Sequence, residues 1–141
     1  MLKNKEISEL GILPIAAALA VLSGSALAEP SLERGTYLVE GPAACGNCHS
    51  PQGPEGPIPG MALAGMMVEQ NEGFTAIASN ITPAGAVGSW SDGELARAIR
   101  EGIRPDGSVI GPPMPIGLYR GLSDDDLMSI VMYLREVPAV E

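Results

Sequence analysis

Hydrophobic side chains recur at helical spacing in three stretches of this chain. In the first, from Ser31 to Glu40, the apolar positions Leu32 and Leu38 share a face with Gly35, and serine is a residue type that caps the start of helices. The pattern predicts a short helix. Gly35 is interpreted as a point where another helix crosses closely, or as no more than a weak spot in this one.

The second stretch begins at a capping box. Ser91 can accept a hydrogen bond from the third helical amide while Glu94 reaches back to the cap. An apolar stripe follows at Leu95, Ile99 and Ile103, and the turn at residues 105–107 is expected to end the helix.

The third stretch follows Ser123, which precedes three aspartates at the positive end of the predicted helix. The apolar stripe with i, i+3, i+4, i+7 spacing consists of Leu127, Ile130, Val131 and Leu134. Pro138 ends this helix, whose role is packing.

The segments between these helices predict loops. Residues 50–60 hold four prolines and three glycines, so no helix can persist there. Residues 61–73 show no clear periodicity and are interpreted as loop or broken helix. The chain is therefore expected to be all-α, with about three to five short helices and long loops.

Residues 1–28 are predicted to be a signal peptide. A polar start with two lysines precedes an apolar run over residues 11–22, and Ala-Leu-Ala at 26–28 matches the cleavage pattern. The run is shorter than the roughly 20 residues that span a bilayer. Two glutamates cancel the lysines, so an uncleaved membrane anchor is the alternative. We expect export to the periplasm and one domain over residues 29–141, with no membrane span in that mature part.

The composition limits the partners. Eight Lys and Arg stand against seventeen Asp and Glu, which gives a net charge of −9. Such a surface argues against nucleic acid and against anionic lipid, because both reward clustered basic residues. Aromatic residues make up 4% of the chain, beside 18 glycines and 13 prolines. This predicts a thin core and loops that need a large apolar group to wrap.

The scarce residue types concentrate in one place. Both cysteines and the single histidine lie in Cys45-Gly46-Asn47-Cys48-His49. Cys-x-x-Cys-His is the pattern of covalent c-type haem attachment, in which each thiol adds to one vinyl group of the porphyrin. The imidazole then falls under the iron. The motif predicts one covalently bound haem c, held by Cys45 and Cys48, with His49 as an axial ligand of the iron.

Three other uses of the motif are less favoured. A structural zinc site needs four Cys or His ligands, and the chain has only three such residues. A redox-active dithiol expects a βαβ setting, which the following sequence does not predict. A disulfide between residues three apart closes too small a loop to stabilise much.

A second axial ligand must come from another residue type, because no second histidine exists and residues 29–141 contain no lysine. Met114 lies in the stiff segment Gly111-Pro112-Pro113-Met114-Pro115 between two predicted helices, where a thioether reaches iron at little entropic cost. Met114 is therefore the predicted second ligand. The weaker candidates lie soon after the motif or on the last helix: Met61, Met66, Met67, Met128 and Met132.

Further residues are expected around the haem. A backbone carbonyl within residues 57–60 is predicted to accept a hydrogen bond from the His49 ring. Trp90, the only tryptophan, is either a core anchor or a donor to a haem propionate. The arginines of the second helix are interpreted as a solvated face from which one could meet a propionate: Arg97, Arg100 and Arg104.

Several motifs together resemble class I cytochromes c, and most of all the haem domains in cytochrome subunits of bacterial membrane-associated alcohol, aldehyde and gluconate dehydrogenases. Besides the haem motif they are Ser79-Asn80-Ile81-Thr82-Pro83, Trp90-Ser91-Asp92-Gly93-Glu94, Ala98-Ile99-Arg100-Glu101-Gly102, Met114-Pro115, Tyr119, Leu122-Ser123-Asp124 and Tyr133-Leu134-Arg135. The resemblance implies a small all-helical cytochrome c fold whose first and last helices cross at Gly35 and Tyr133. It also implies that Asn80, Trp90 and Tyr119 lie near the haem.

These expectations point to a one-electron carrier of the periplasm rather than an enzyme. Two axial protein ligands would close the iron to oxygen, peroxide and substrate. The expected partners are a redox donor and acceptor, such as a dehydrogenase, a terminal oxidase or another cytochrome. Two alternatives stay open: a tightly bound electron-transfer subunit of a dehydrogenase, and a haem enzyme or gas sensor with an open sixth position.

Overall fold

The computed structural model describes residues 29–141, and the predicted signal peptide lies outside these residues. The elements in chain order are α1 Leu32–Glu40, α2 Gly46–His49, β1 Gln52–Gly53, β2 Gly56–Pro57, β3 Met66–Asn71, β4 Phe74–Ala78, a 3-10 helix Ala86–Ser89, α3 Asp92–Glu101, α4 Ile116–Tyr119 and α5 Asp124–Glu136. In this described part, no helix has the length and apolar character needed to cross a membrane.

The three predicted helices are confirmed, and each begins at its predicted cap. Ser31 accepts from the amide of Arg34, and Ser123 accepts from the amide of Asp126. At α3 the capping box is complete, because Ser91 accepts from the Glu94 amide and the Glu94 carboxylate accepts from the Ser91 amide.

Helices α1 and α5 cross at Gly35, as predicted. A Cβ built on Gly35 would meet the carbonyl oxygen of Ser129 and lie 2.9 Å from the Cβ of Tyr133. A residue without a side chain is therefore required for this close approach. The buried core beside the crossing comes mainly from α1, α3 and α5: Leu38, Val39, Leu95, Ala96, Leu127, Ile130, Val131 and Leu134.

Helix α3 is shorter than the sequence predicted from the apolar stripe at Leu95, Ile99 and Ile103. It ends at Glu101, because Gly102 adopts φ 72° and caps the helix in the left-handed region. Ile103 therefore lies outside the helix, where it forms an isolated antiparallel bridge with Val109. The prediction that Ile103 extends the helical stripe is wrong.

The prediction of an all-α chain also needs correction, because two antiparallel hairpins lie between α2 and the 3-10 helix. Strand β1 pairs with β2, and β3 pairs with β4 from Met66↔Ala78 to Asn71↔Phe74. The Asn71 side chain accepts from the Gly73 amide at 3.1 Å and so supports the tight turn. Residues 61–73 lack helical periodicity because residues 66–71 form strand β3, so the interpretation of this stretch as loop or broken helix is wrong there. Most of the strand-favouring residue types, Phe74, Thr75 and Ile77, lie in β4.

Candidate functional site

The short helix α2 brings both thiols and the imidazole to one cavity. Cys45 stands at the N-cap position, and the His49 amide donates to the Cys45 carbonyl at 2.9 Å. Residues three and four apart share a helix face, so Cys45, Cys48 and His49 all line a cavity of about 860 Å³. The two cysteines are not joined as a disulfide.

The His49 ring is fixed by a backbone carbonyl, although not the predicted one. Its Nδ1 lies 2.7 Å from the carbonyl oxygen of Ser79. Because a carbonyl only accepts, Nδ1 carries the proton and Nε2 keeps its lone pair for a metal. The prediction of an acceptor within residues 57–60 is wrong.

The β3–β4 hairpin explains this difference. It returns the chain to α2, where the amide of Gly65 donates to the His49 carbonyl at 2.6 Å, just before β3. Ser79 follows the last residue of β4 and so meets the His49 side chain. A pairing between backbone segments this far apart has no side-chain motif in the sequence.

Met114 is the methionine that reaches the cavity. It lines the same cavity as His49, in the loop between α3 and α4. Among the described residues, none of the other five methionines lines the cavity. Met67 and Met132 are about half exposed, at 50% and 40%, while Met128 packs against the core.

The three residues that the resemblance placed near a haem take different positions. Trp90 lines the cavity and also packs against the hydrophobic core. Tyr119 lines the cavity, and its hydroxyl donates to the Ala43 carbonyl at 2.8 Å. Asn80 does not line the cavity although both of its sequence neighbours do; its amide group instead donates to the carbonyl of Val140 at 2.6 Å.

Only one arginine among the described residues lines the cavity. Arg104 does so, and its Nη1 donates to the Ser108 hydroxyl and the Val109 carbonyl, each at 3.2 Å. Arg97 pairs with Glu101 and Arg100 with Asp124, both outside the cavity lining. The described lining contains no carboxylate. Arg104 is therefore its one permanent charge.

The hairpin supplies a wall that the sequence did not predict. Val68 of β3 and Phe74, Ala76 and Ile77 of β4 line the cavity. They are apolar, as are most of the lining residues from α3 and α5. The wall could have been anticipated only from the β-forming residue types in this segment.

Burial favours the neutral forms of the Cys45 thiol and the His49 imidazole. It raises the pKa of the Cys45 thiol to about 11, so this thiol stays protonated at pH 7. Burial also lowers the pKa of His49 below its ordinary value, against a smaller opposing effect of the hydrogen bond to Ser79. The neutral imidazole is the form that binds metal.

These groups fit a haem. Two thiols three residues apart match attachment at two vinyl groups, and a neutral imidazole and a thioether match axial ligands of iron. The single guanidinium matches an acidic substituent, and the remaining lining is apolar, like a porphyrin. The volume of about 860 Å³ lies in the range of pockets for organic cofactors and ligands.

Known proteins provide an independent comparison. No protein-family model matches the chain. The chain is 37% identical over 115 residues to a diheme cytochrome c-type protein of Cereibacter sphaeroides, covering 79% of this chain and 37% of that protein. It is 32% identical over 123 residues to the cytochrome c subunit of the quinone alcohol dehydrogenase of Gluconobacter oxydans, covering 81% and 25%.

A third relative is the fructose dehydrogenase cytochrome subunit of Gluconobacter japonicus, 34% identical over 115 residues, with 79% of this chain and 22% of that protein covered. The chain thus spans between about a fifth and two fifths of the length of these relatives. The chain is a relative of c-type cytochromes, among them the cytochrome subunits of bacterial dehydrogenases, as its motifs predicted.

Proposed function

We propose that residues 29–141 form a cytochrome c domain that carries one electron at a time on a single covalently attached haem. Cys45 and Cys48 would form the two thioether bonds, and His49 and Met114 would be the axial ligands. The observation that carries the proposal is that these four side chains line one apolar cavity. When bound, the haem supplies the ferrous/ferric couple.

The residues around the iron site favour electron transfer over catalysis. The Ser79 carbonyl, at 2.7 Å from His49 Nδ1, fixes the imidazole with Nε2 free to bind. Met114 adds a soft ligand, which raises the reduction potential relative to harder ligands. If His49 and Met114 both bind the iron, no position on it would be left for a substrate. The relatives' names agree, since they denote cytochromes or cytochrome subunits.

Arg104 is the candidate partner of a haem carboxylate, because it is the one permanent charge in the described lining. An arginine presents several N–H donors in a planar fork that matches a carboxylate. Trp90 and Tyr119 would pack beside the porphyrin, since the Tyr119 hydroxyl is already engaged with Ala43. Asn80 would act indirectly, because its amide is engaged with Val140.

Attachment is tested by expressing the full chain in a host with c-type haem maturation. Haem should stay with the protein through acid-acetone extraction and denaturing electrophoresis, at one haem per chain by the pyridine haemochrome assay. Cys45→Ala and Cys48→Ala together should remove all of it, whereas Glu55→Ala, in the exposed loop that follows the motif, serves as a control. Release of the haem from the wild-type protein on denaturation would contradict the proposal.

Two modes of action fit the domain. One is a free periplasmic carrier, exported by a signal peptide over residues 1–28 that is then cleaved off. The other is a tightly bound electron-transfer subunit of a dehydrogenase, which the names of the relatives favour. Purification from the native source distinguishes them: a carrier elutes alone at the size of one chain, and a subunit elutes with its dehydrogenase. N-terminal sequencing of the same sample tests cleavage after Ala28.

A haem enzyme or gas sensor is the third possibility. It would need an open or easily displaced sixth position. Carbon monoxide added to the reduced protein tests this directly, because it binds only where the sixth ligand is absent or leaves. An unchanged visible spectrum supports two protein ligands, and rapid conversion to a carbon monoxide complex would favour the sensor or enzyme.

A further inference from the structure

The carbonyl that orients His49 belongs to a segment anchored by the end of the described chain. Ser79 accepts from His49 Nδ1 and is followed directly by Asn80. The Asn80 amide nitrogen donates to the carbonyl of Val140 at 2.6 Å, across 60 positions of sequence. Residues 137–141 follow helix α5, so this contact ties the carbonyl segment to the most extensively buried helix of the core.

Thr82 forms hydrogen bonds with both Asn80 and Val140. The Asn80 side-chain oxygen accepts from the Thr82 amide at 2.9 Å and from its hydroxyl at 2.7 Å. The Val140 amide in turn donates to the Thr82 hydroxyl oxygen at 3.2 Å. Thr82 is completely buried, with 0% of its surface exposed. The side-chain nitrogen and oxygen of Asn80 are therefore both hydrogen-bonded. Because Thr82 is buried, water cannot take the place of Asn80 as its hydrogen-bond partner.

The backbone between these contacts is held as well. The Ile81 amide donates to the Leu63 carbonyl at 2.9 Å, and the Gly85 amide donates to the Thr82 carbonyl at 2.9 Å. A Cβ on Gly85 would collide with the Asn80 carbonyl oxygen, so the loop packs against itself with no side chain between. Ser79 itself is exposed. The position of its carbonyl is therefore set by the backbone on both sides: by β4, which ends at Ala78, and by the anchored residues that follow.

We propose that Asn80 is a positioning residue for His49: through Val140 and Thr82 it holds residues 79–82 in place, and with them the Ser79 carbonyl that orients the imidazole. The inference rests on the proposed function, because His49 matters as a ligand only when haem is attached. It differs from the sequence prediction, which placed Asn80 beside the haem.

The test uses the full-length haem protein with Asn80→Ala. The variant removes the donor to Val140 and the acceptor for Thr82 without adding charge. Gln70→Ala is the control, since Gln70 also carries a carboxamide, is exposed on β3 and does not line the cavity. A second variant stops the chain after Ala139 and leaves Asn80 intact, so the inference stays testable if Asn80→Ala folds poorly.

Two measurements report on His49 itself. In the reduced protein, proton NMR gives the solvent exchange rate of the Nδ1 proton, which should be roughly tenfold faster in both variants, the factor expected for losing about one hydrogen bond of local stability. The midpoint potential should also rise, because a weaker hydrogen bond makes the imidazole a less basic ligand. Gln70→Ala should change neither quantity.

A purely structural role for Asn80 gives a different result. The variant would then unfold at a lower temperature. Its Nδ1 exchange rate would stay within twofold of wild type and its midpoint potential would be unchanged within error. That result would overturn the inference. Val131→Ala, a core variant chosen for a similar loss of thermal stability, controls for general loosening. Haem content is measured first: wild-type protein without covalent haem would refute the proposed function, whereas full haem content with unchanged Nδ1 exchange in both variants refutes only the role of Asn80.

Discussion

Arg135 donates to the carbonyl oxygen of Trp90, with 2.6 Å between Nη2 and the oxygen. Its Nη1 donates to the Val87 carbonyl at 2.7 Å, and its Nε pairs with Asp92 at 3.0 Å. Trp90 and Val87 both line the cavity. One guanidinium on α5 thus joins the core helix to the cavity wall and to the first turn of α3.

Arg135→Lys should therefore destabilise the protein although it keeps the charge. An ammonium group cannot reproduce the planar fork that serves two carbonyls and a carboxylate, and hydrogen bonds to charged groups contribute about 1.5–3 kcal/mol each. We expect a loss of about 2 kcal/mol in the free energy of unfolding, measured by chemical denaturation. Arg120→Lys, at an exposed position, should change it by less than about 0.5 kcal/mol. Equal effects of the two substitutions would contradict the role given to Arg135.

Gly35→Ala should separate α1 from α5. The added Cβ would collide with the Ser129 carbonyl and lie 2.9 Å from the Tyr133 Cβ, and backbone atoms cannot move aside cheaply. Overpacking of this kind costs about 1–3 kcal/mol. Gly93→Ala in α3 is the matched control, because its Cβ would meet no atom within 4 Å, and it should gain up to about 1 kcal/mol from helix propensity. Thermal unfolding of both variants decides: a neutral Gly35→Ala would refute the close crossing.

The sequence predicted the helices well because their caps are local. Ser31, Ser91 and Ser123 each accept a hydrogen bond from an amide three residues on, so a short motif holds all the required information. The β3–β4 hairpin was missed because its stability comes from cross-strand pairing, which no residue type encodes at a fixed spacing.

The sequence likewise predicted the parts of the site that short motifs encode, and it missed the parts that depend on contacts between distant residues. The Cys45 to His49 motif, Met114, Trp90 and Tyr119 all line the cavity, and their roles toward haem remain predictions. The Ser79 carbonyl could not be found, because a backbone group carries no residue signature. Asn80 was recognised by its motif, yet its contact with Val140 spans 60 residues and depends on the whole fold.

Met114→Ala tests the second axial ligand. Haem should stay attached through the cysteines, while the open iron binds carbon monoxide and loses the weak red band of methionine-ligated ferric haem. The midpoint potential should fall by part of the roughly 0.8 V that axial ligation spans. Met66→Ala is the control, because Met66 does not line the cavity. If Met114→Ala keeps the wild-type spectrum, the ligand is another group.

Arg104→Gln tests the contact with a haem carboxylate. Loss of the only permanent positive charge in the described lining should stabilise the ferric form and lower the midpoint potential. Arg97→Gln makes the same change in charge on the exposed pair with Glu101, whose side chains are 53% and 52% exposed, and solvent screens charges there. We expect a clearly larger shift at Arg104 by redox titration. Equal shifts would mean that Arg104 acts only through its contribution to the total charge.

The acidic surface should determine how the domain meets its redox partner. Lys3, Lys5, Glu6 and Glu9 cancel, so residues 29–141 carry the whole net charge of −9. Four carboxylates are used in ion pairs with arginines, and most of the other acidic side chains are exposed. At the cavity, Ile77 and Leu118 are 69% and 78% exposed. The contact itself is thus expected to be apolar, with charge acting during approach.

A partner with a basic docking patch should therefore associate faster at low salt. Between about 10 and 200 mM salt the Debye length shrinks from roughly 30 Å to below about 10 Å, so the bimolecular electron-transfer rate should fall steeply over this range. Stopped-flow mixing with the purified redox partner measures the rate. Replacing Glu69 and Glu72 by Gln, on the cavity-lining hairpin, should flatten the salt dependence more than the same change at Glu33 and Glu136. A wild-type rate that is flat or rises with salt would mean an uncharged or acidic docking patch on the partner, because screening can only weaken attraction between opposite charges.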